Sequence, residues 1–282
     1  MSISFTHFVG DILNVEDLIK LLNLINSSKE SGTEFFGVGV YTEDLCSKLG
    51  LLPPTQSLEA RLEILSHIRG IDYVFPVTSL HPDILHSAAK KGFVNYKSTN
   101  TPHINKPKPF KIGYVPGTHD LLHSGHLENL LYAASQCEIL IVGVKSDTLV
   151  KEHKNKKPFD SEKDRATILQ HLDFVSDTHI YNTRDLTPAV NSISQNYQIP
   201  QNEIAIFLGS DLKNDFEGKY PNFNIVFTPR NLQNPNSPSS SRRTSKIKGF
   251  SQIPSSPTTR FTKRILHPHA FPIANVDVTE RW

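Results

Sequence analysis

Cysteine is scarce in this 282-residue chain, and the two present, Cys46 and Cys137, stand in unlike surroundings with no CxxC spacing. That pattern supplies neither a disulfide framework nor a zinc site. An excess of one charge is also lacking. The 30 Lys and Arg against 28 Asp and Glu leave a formal net charge of +2, which makes no general case for a nucleic-acid partner. No stretch approaches the ~20 apolar residues of a membrane span, so no integral membrane contact is expected. The opening MSISFTHFVGDILNVEDL has neither the basic start nor the apolar run of a secretory signal. These absences leave a reduced, cytoplasmic globular protein, long enough for two modest domains.

What is present is an alternation of short apolar runs with helical periods. Residues 97–110, KSTNTPHINKPKPF, carry three prolines and no apolar period and read as a linker. After it come the strand KIGYV and the loop GTHDLLHSGH at 117–126. Leu127, Leu130, Leu131 and Ala134 then recur as one helical face. EILIVGV (138–144) reads as a buried strand, and Ser161 with Asp164 sits at cap-box-like spacing before another helix. Runs at 178–181, 203–208 and 223–228 predict three further strands. Strands alternating with helices predict an α/β fold with a parallel sheet covered on both faces.

The region before the linker repeats this plan. VGVYTEDL from Val38 sets against VGVKSDTL from Val142, and the same offset pairs Pro54 with Pro158, Ser57 with Ser161, Arg61 with Arg165 and His67 with His171. Such self-similarity predicts an internal duplication. At its start, DILNVEDL (11–18) matches DLLHSGHL (120–127). Leu18, Leu21, Leu22 and Ile25 reproduce the helical stripe, yet Asn14 stands for His123, Glu16 for Gly125 and Asp17 for His126. The first copy keeps the core positions and has lost the polar loop. Residues serving only packing should have survived with the core, so the contrast favours chemistry for the histidines.

A strand running into a glycine-containing turn and then a helix presents free backbone N–H groups and roughly half a positive charge, a ready site for phosphate. His123 and His126 flank that helix entry, and each can donate a hydrogen bond to an anion. Gly125 leaves room for a phosphate to approach the backbone, where Glu16 in the first copy would repel it. In an open parallel sheet this crevice at the carboxyl ends of the strands is where ligands usually sit.

GTHDLLHSGHL resembles the GxFDxxHxGH signature of cytidylyltransferase-like nucleotidyltransferases, part of the superfamily named for its HIGH-type motif. The likeness continues through IVGVKSD (141–147), the lysine-rich KEHKNKKP (151–158) and SEKDR, covering most of residues 111–247. It implies two Rossmann-like nucleotidyltransferase domains with parallel sheets, the first shortened and lacking the HxGH motif. The expected layout is a degenerate domain over 1–96, the linker over 97–110, a catalytic domain over 111–248 and an irregular tail over 249–282. By the resemblance, His123, His126 and Lys154 are catalytic. They hold the triphosphate of CTP or ATP while a substrate phosphate attacks the α-phosphorus and pyrophosphate leaves. Gly50 stands at the place of Lys154 in the first copy. Gly117, Thr118, Asp120, Gly125, Asp211, Arg230, Ser239, Ser240 and Ser241 are expected to bind the nucleotide, with Lys246 at a later basic position of the motif. Arg165 resembles a family arginine, but Arg61 persists in the altered copy, so a structural role fits as well. His119 replaces the family's aromatic residue and adds an ionisable ring. Mg²⁺ is expected with the triphosphate, and no protein metal site.

Tandem domains of this kind resemble ethanolamine-phosphate cytidylyltransferase, with a small phosphorylated alcohol as second substrate. Glycerol-phosphate or choline-phosphate cytidylyltransferase, an ATP-using adenylyltransferase of the FAD, coenzyme A or NAD pathways, and a nucleotide-binding regulatory protein remain open. The site-less first domain is expected to act as an intrachain pseudo-dimer partner. His267 and His269 in the tail flank Pro268 without other ligands, which makes a poor metal site.

Overall fold

The apolar runs of the sequence fold as strands, and those inside each sheet have little side-chain exposure, as a sheet covered on both faces requires. The computed structural model describes residues 2–11, 15–99, 107–155, 157–228 and 274–277. The chain divides into two units, Met1–Ile104 with Ser241–Trp282, and Asn105–Ser240.

The first unit runs β1 (Ser2–Phe8), α1 (Val15–Glu30), β2 (Phe35–Tyr41), α2 (Glu43–Lys48), α3 (Leu58–Ser66), β3 (Tyr73–Val77) and α4 (Pro82–Thr99). Its strands lie in the order β3-β2-β1, all parallel. Leu18, Leu21 and Ile25 bury the inner face of α1, as the stripe predicts. The last turn of α4 runs into the expected linker.

The second unit runs β4 (Phe110–Gly117), α5 (Ser124–Gln136), β5 (Cys137–Lys145), α6 (Asp147–Lys154), α7 (Glu162–Gln170), β6 (Asp177–Tyr181), α8 (Thr187–Tyr197), β7 (Ile204–Gly209), the short α9 (Lys213–Phe216) and β8 (Asn224–Thr228). Five parallel strands lie in the order β6-β5-β4-β7-β8. This is the parallel sheet expected from the alternation, in the Rossmann-like arrangement that the resemblance implied. The chain order reverses at β4, which pairs with β5 on one side and β7 on the other, so the ligand crevice of an open α/β sheet falls at their carboxyl ends. On α5 the deeply buried face is Leu127, Leu130 and Ala133. Leu131 and Ala134, expected on the inner stripe, are only half-buried, because helical rotation carries the centre of the stripe to Ala133.

One element departs from expectation. Within 249–282, expected to be irregular, Ala274–Asp277 forms a strand, β9, antiparallel to β1 with Ser2 beside Asp277 and Phe5 beside Ala274. Four residues, Ala-Asn-Val-Asp, are too short a stretch to predict a strand by themselves. An open edge of parallel strands supplies the unpaired N–H and C=O groups that recruit them. β9 thus occupies beside β1 the edge that β7 occupies beside β4.

The two units share their loop clamps as well as their strands. Ser57 and Ser161 each cap a helix, accepting from Ala60 N at 3.3 Å and from Asp164 N at 3.2 Å. Arg61, fully buried, donates to the carbonyls of Gln56, Val9 and Tyr41 and to Glu43 Oε1. Arg165, equally buried, donates to the carbonyls of Asp160, Thr118 and Lys145 and to Asp147 Oδ1. Asp11 accepts from Thr55 N at 2.7 Å, and Asp120 accepts from Phe159 N at 3.0 Å.

Candidate active site

The loop between β4 and α5 is built around two left-handed residues, His119 at φ 51° and Leu121 at φ 52°. Non-glycine residues adopt that region at a cost, and they tend to gather at functional loops. The loop is pinned by Leu121 and Leu122, both buried. His123 is the N-cap residue of α5, with extended backbone and no side-chain cap bond, and its carbonyl accepts from His126 N at 2.9 Å. A cap position normally spends a short polar side chain on the helix's first N–H groups. Here an imidazole holds it, and no acidic residue follows in the first turn. In α1 the corresponding turn carries Glu16 and Asp17. The first turn of α5 therefore adds no acidic side chain of its own to the helix's positive end, as an anion site needs.

Three imidazoles gather there. The rings of His123 and His126 stack with centroids 3.8 Å apart and planes 23° apart. The ring of His119 meets His126 nearly edge-on, centroids 5.3 Å apart. His119 is buried, and burial is the main cause that pushes its pKa down to about 4, so its ring is neutral near pH 7. Among the described residues its Nδ1 has no hydrogen-bond partner, while Nε2 lies 3.4 Å from the Val115 carbonyl oxygen. The ring packs over Gly117, where a Cβ would meet His119 Nε2 at 2.5 Å. Gly117 is thus required by the close approach of His119.

From the other side Lys154, the last residue of α6, brings its Nζ to 3.5 Å from Thr118 Oγ1. Asn155 ends that helix in the left-handed conformation, φ 47°. Two sequence-predicted groups and the histidine loop therefore meet at the carboxyl edge of β4 and β5. Gly125 lies in the first turn of α5. Asp211 stands on the turn Ser210–Leu212 directly after β7, with Oδ1 folded back 2.5 Å from where a Gly209 Cβ would be. Asp120, expected to bind the nucleotide, makes backbone contacts within the unit. Its carboxylate accepts from Phe159 N and Asp160 N, tying the histidine loop to the turn before α7. Arg165 donates to three backbone carbonyls and to Asp147 Oδ1, the contacts of a clamp. Arg230, Ser239, Ser240, Ser241 and Lys246 lie outside the described residues.

Two basic residues that the motifs did not single out stand close by. Lys145 ends β5 and is half-buried. Burial first, then the charges of Lys154 and Arg184, push its pKa down. The signal that could have found Lys145 was the repeat itself, since Tyr41 holds its place in the first copy. Among the described residues no group of three or more His, Cys, Asp or Glu side chains is arranged to hold a metal ion, and no helix is long and apolar enough to cross a membrane.

The chain matches the cytidylyltransferase-like family over residues 114–251. The bifunctional protein HldE of Helicobacter pylori (strain P12) is 48% identical over 66 residues, 23% of this chain and 14% of that protein. HldE of Paramagnetospirillum magneticum is 34% identical over 117 residues, 39% of this chain and 23% of that protein. The chain thus spans less than a quarter of the length of these curated relatives. Among solved structures, the lipopolysaccharide core biosynthesis protein from Thermoplasma volcanium aligns with a TM-score of 0.34 at 21% identity, over 42% of this chain and 96% of that one. The histidine loop, Lys154 and the ends of β4 and β7 lie within the segment, residues 114–251, that matches the cytidylyltransferase-like family.

Proposed function

We propose that the second unit is a nucleotidyltransferase that joins the nucleoside monophosphate of a triphosphate to a small phosphorylated acceptor and releases pyrophosphate. The observation that carries this reading is the stacked His123–His126 pair on the acid-free N-terminus of α5, faced by Lys154 across Thr118. An oxygen of the acceptor phosphate forms the new bond to the α-phosphorus. The bond from that phosphorus to the bridging oxygen breaks, and pyrophosphate departs with its electron pair. Negative charge grows on the α-phosphoryl oxygens and the leaving group, and positioned donors and cations stabilise it. His123, His126 and the first N–H groups of α5 hold the β- and γ-phosphates. Lys154 neutralises the α-phosphate. Mg²⁺ accompanies the triphosphate as part of the substrate and shields its charge.

Of the two nucleotides, ATP ranks before CTP. The expectation of CTP and phosphoethanolamine rested on the tandem plan, whereas the relatives matched are bifunctional HldE proteins. The test measures pyrophosphate release from ATP and from CTP with phosphorylated alcohols, phosphorylated sugars and FMN as acceptors, in wild type and His123→Ala. The variant should lose ~10²–10³-fold in turnover, the usual cost of removing one donor to a developing oxyanion. Unchanged turnover in His123→Ala would sink the site assignment. Nucleotide binding without any pyrophosphate release would mark a regulatory protein instead.

A further inference from the structure

We propose that Lys145 and Arg184 form, together with Lys154, a second anion subsite beside the histidine pair, and that it takes the phosphate of the acceptor substrate. The proposal rests on the nucleotidyl-transfer reading above. Three elements bring the cations together. Lys145 is the last residue of β5 and lies in register with Tyr181, the last residue of β6, three positions before Arg184. Its neighbour Val144 lies in register with Gly117 at the end of β4. The Arg165 guanidinium bonds the carbonyls of both Lys145 and Thr118, which fixes the root of Lys145 beside the histidine loop. Lys154 arrives from α6 on the same edge.

The electrostatics of the cluster are unfavourable as it stands. Lys145 is half-buried and makes no ion pair among the described residues, and Lys154 and Arg184 both act to remove its proton. His153 is lowered by burial first, then by Lys145 and Arg184. Of the acids beside these cations in sequence, Asp185 is turned to Thr187, accepting from its N at 3.0 Å and its Oγ1 at 2.8 Å, Asp147 pairs with Arg165, and Glu152 acts on His153. Like charges held together with their neighbouring acids engaged elsewhere make a site for an anion, which relieves their repulsion on binding.

The first unit supplies the independent observation. Its clamps reproduce those of the second residue for residue, so its loops can be matched through hydrogen bonds as well as sequence. The Tyr41 carbonyl accepts from Arg61 as the Lys145 carbonyl accepts from Arg165. Tyr41 lies in register with Val77 as Lys145 does with Tyr181. At the three cation positions the first unit has Tyr41, Gly50 and Leu80 for Lys145, Lys154 and Arg184. It has lost these cations together with both histidines and has kept every clamp. Lys145 and Arg184 therefore sort with the chemistry of the loop and apart from the scaffold. The reaction supplies a use for them. In-line attack brings the acceptor in opposite the departing pyrophosphate, and two anions approaching one another need cations on the attacking side.

Calorimetric titration of inorganic phosphate into ATP-loaded protein tests the subsite, with Lys145→Gln and Arg184→Gln as variants. Arg184 is exposed, so its variant keeps the test sound should the half-buried Lys145 prove needed for folding. Each variant should weaken phosphate binding ~10-fold or more while the ATP Kd stays within about threefold, the magnitude of one lost charge-assisted contact. In turnover the acceptor KM should rise by a similar factor with the ATP KM little changed. Equal phosphate affinity in wild type and Arg184→Gln overturns the proposal. So does a loss of ATP affinity as large as the loss for phosphate, which would assign the cations to the triphosphate. If wild type binds no ATP, the nucleotidyl-transfer reading fails on its own, and the same titration in nucleotide-free protein still decides the anion site.

Discussion

Arg165→Met separates a clamp from a catalytic arginine. The guanidinium is fully buried and donates to three carbonyls and to Asp147 Oδ1, the last at 2.6 Å. Methionine keeps most of the volume and removes every donor. Each buried acceptor left unsatisfied costs about 1–3 kcal/mol. The costs do not add fully, and Asp147 retains some access to water, so breaking the cluster should cost about 4 kcal/mol, in the range for a disrupted buried pair. A chain of two units need not unfold in one step, so the informative assay is local. Hydrogen exchange by mass spectrometry should show protection falling by up to three powers of ten in peptides covering 117–123, 145–150 and 158–162, with the first unit unchanged. Arg61→Met should reproduce the loss around 41–45 and 55–58 and leave the second unit's turnover intact. If Arg165→Met abolished turnover while protection at 117–123 stayed at wild-type level, the guanidinium would be acting on substrate and the clamp argument would be wrong.

Gly117→Ala places a Cβ 2.5 Å from His119 Nε2, so the ring must move and take His126 with it. Turnover should fall at least ~10-fold with little change in the far-ultraviolet spectrum, and wild-type kinetics in this variant would refute the packing. The second prediction concerns pH. The His119 pKa is lowered by burial to about 4 in the folded protein, so unfolding takes up a proton at pH values between there and 6.5. Stability from this group is fully present above pH 6.5 and is lost as pH falls toward 4, by up to about 3 kcal/mol. His119→Phe should flatten that part of the unfolding profile of the second unit, and parallel profiles for variant and wild type would show that the ring is solvated.

Strand and helix positions were legible because both depend on local pattern. Buried parallel strands need continuous apolar runs, as in Ile139–Val144, and α1 and α5 need their stripes. The histidines were legible for a different reason, the presence of a second copy without them. Two features were beyond any local pattern. β9 forms because β1 has an open edge, a property of the sheet that no four-residue segment encodes. Lys145 and Arg184 are far apart in sequence and meet only because β5 and β6 are neighbours in register.

His119 shows how the two kinds of information combine. By sequence it is an anomaly, an ionisable ring in place of an aromatic one. The first unit has Gly10 at the matching place, next to the clamp residue Asp11, and Gly10 has φ +80°. Both units therefore need a left-handed residue before the conserved aspartate. Glycine meets that need without strain, whereas a histidine there adopts a disfavoured backbone. The first unit, with no histidine pair to support, uses glycine. The second accepts the strain and sets a neutral ring against His126. A bare glycine would leave a void on that side of the His126 ring, so the edge-to-face contact is what the strained position supplies to the site. On this argument an aromatic of similar size preserves the orientation of His126 and glycine does not, whatever its gain in backbone ease.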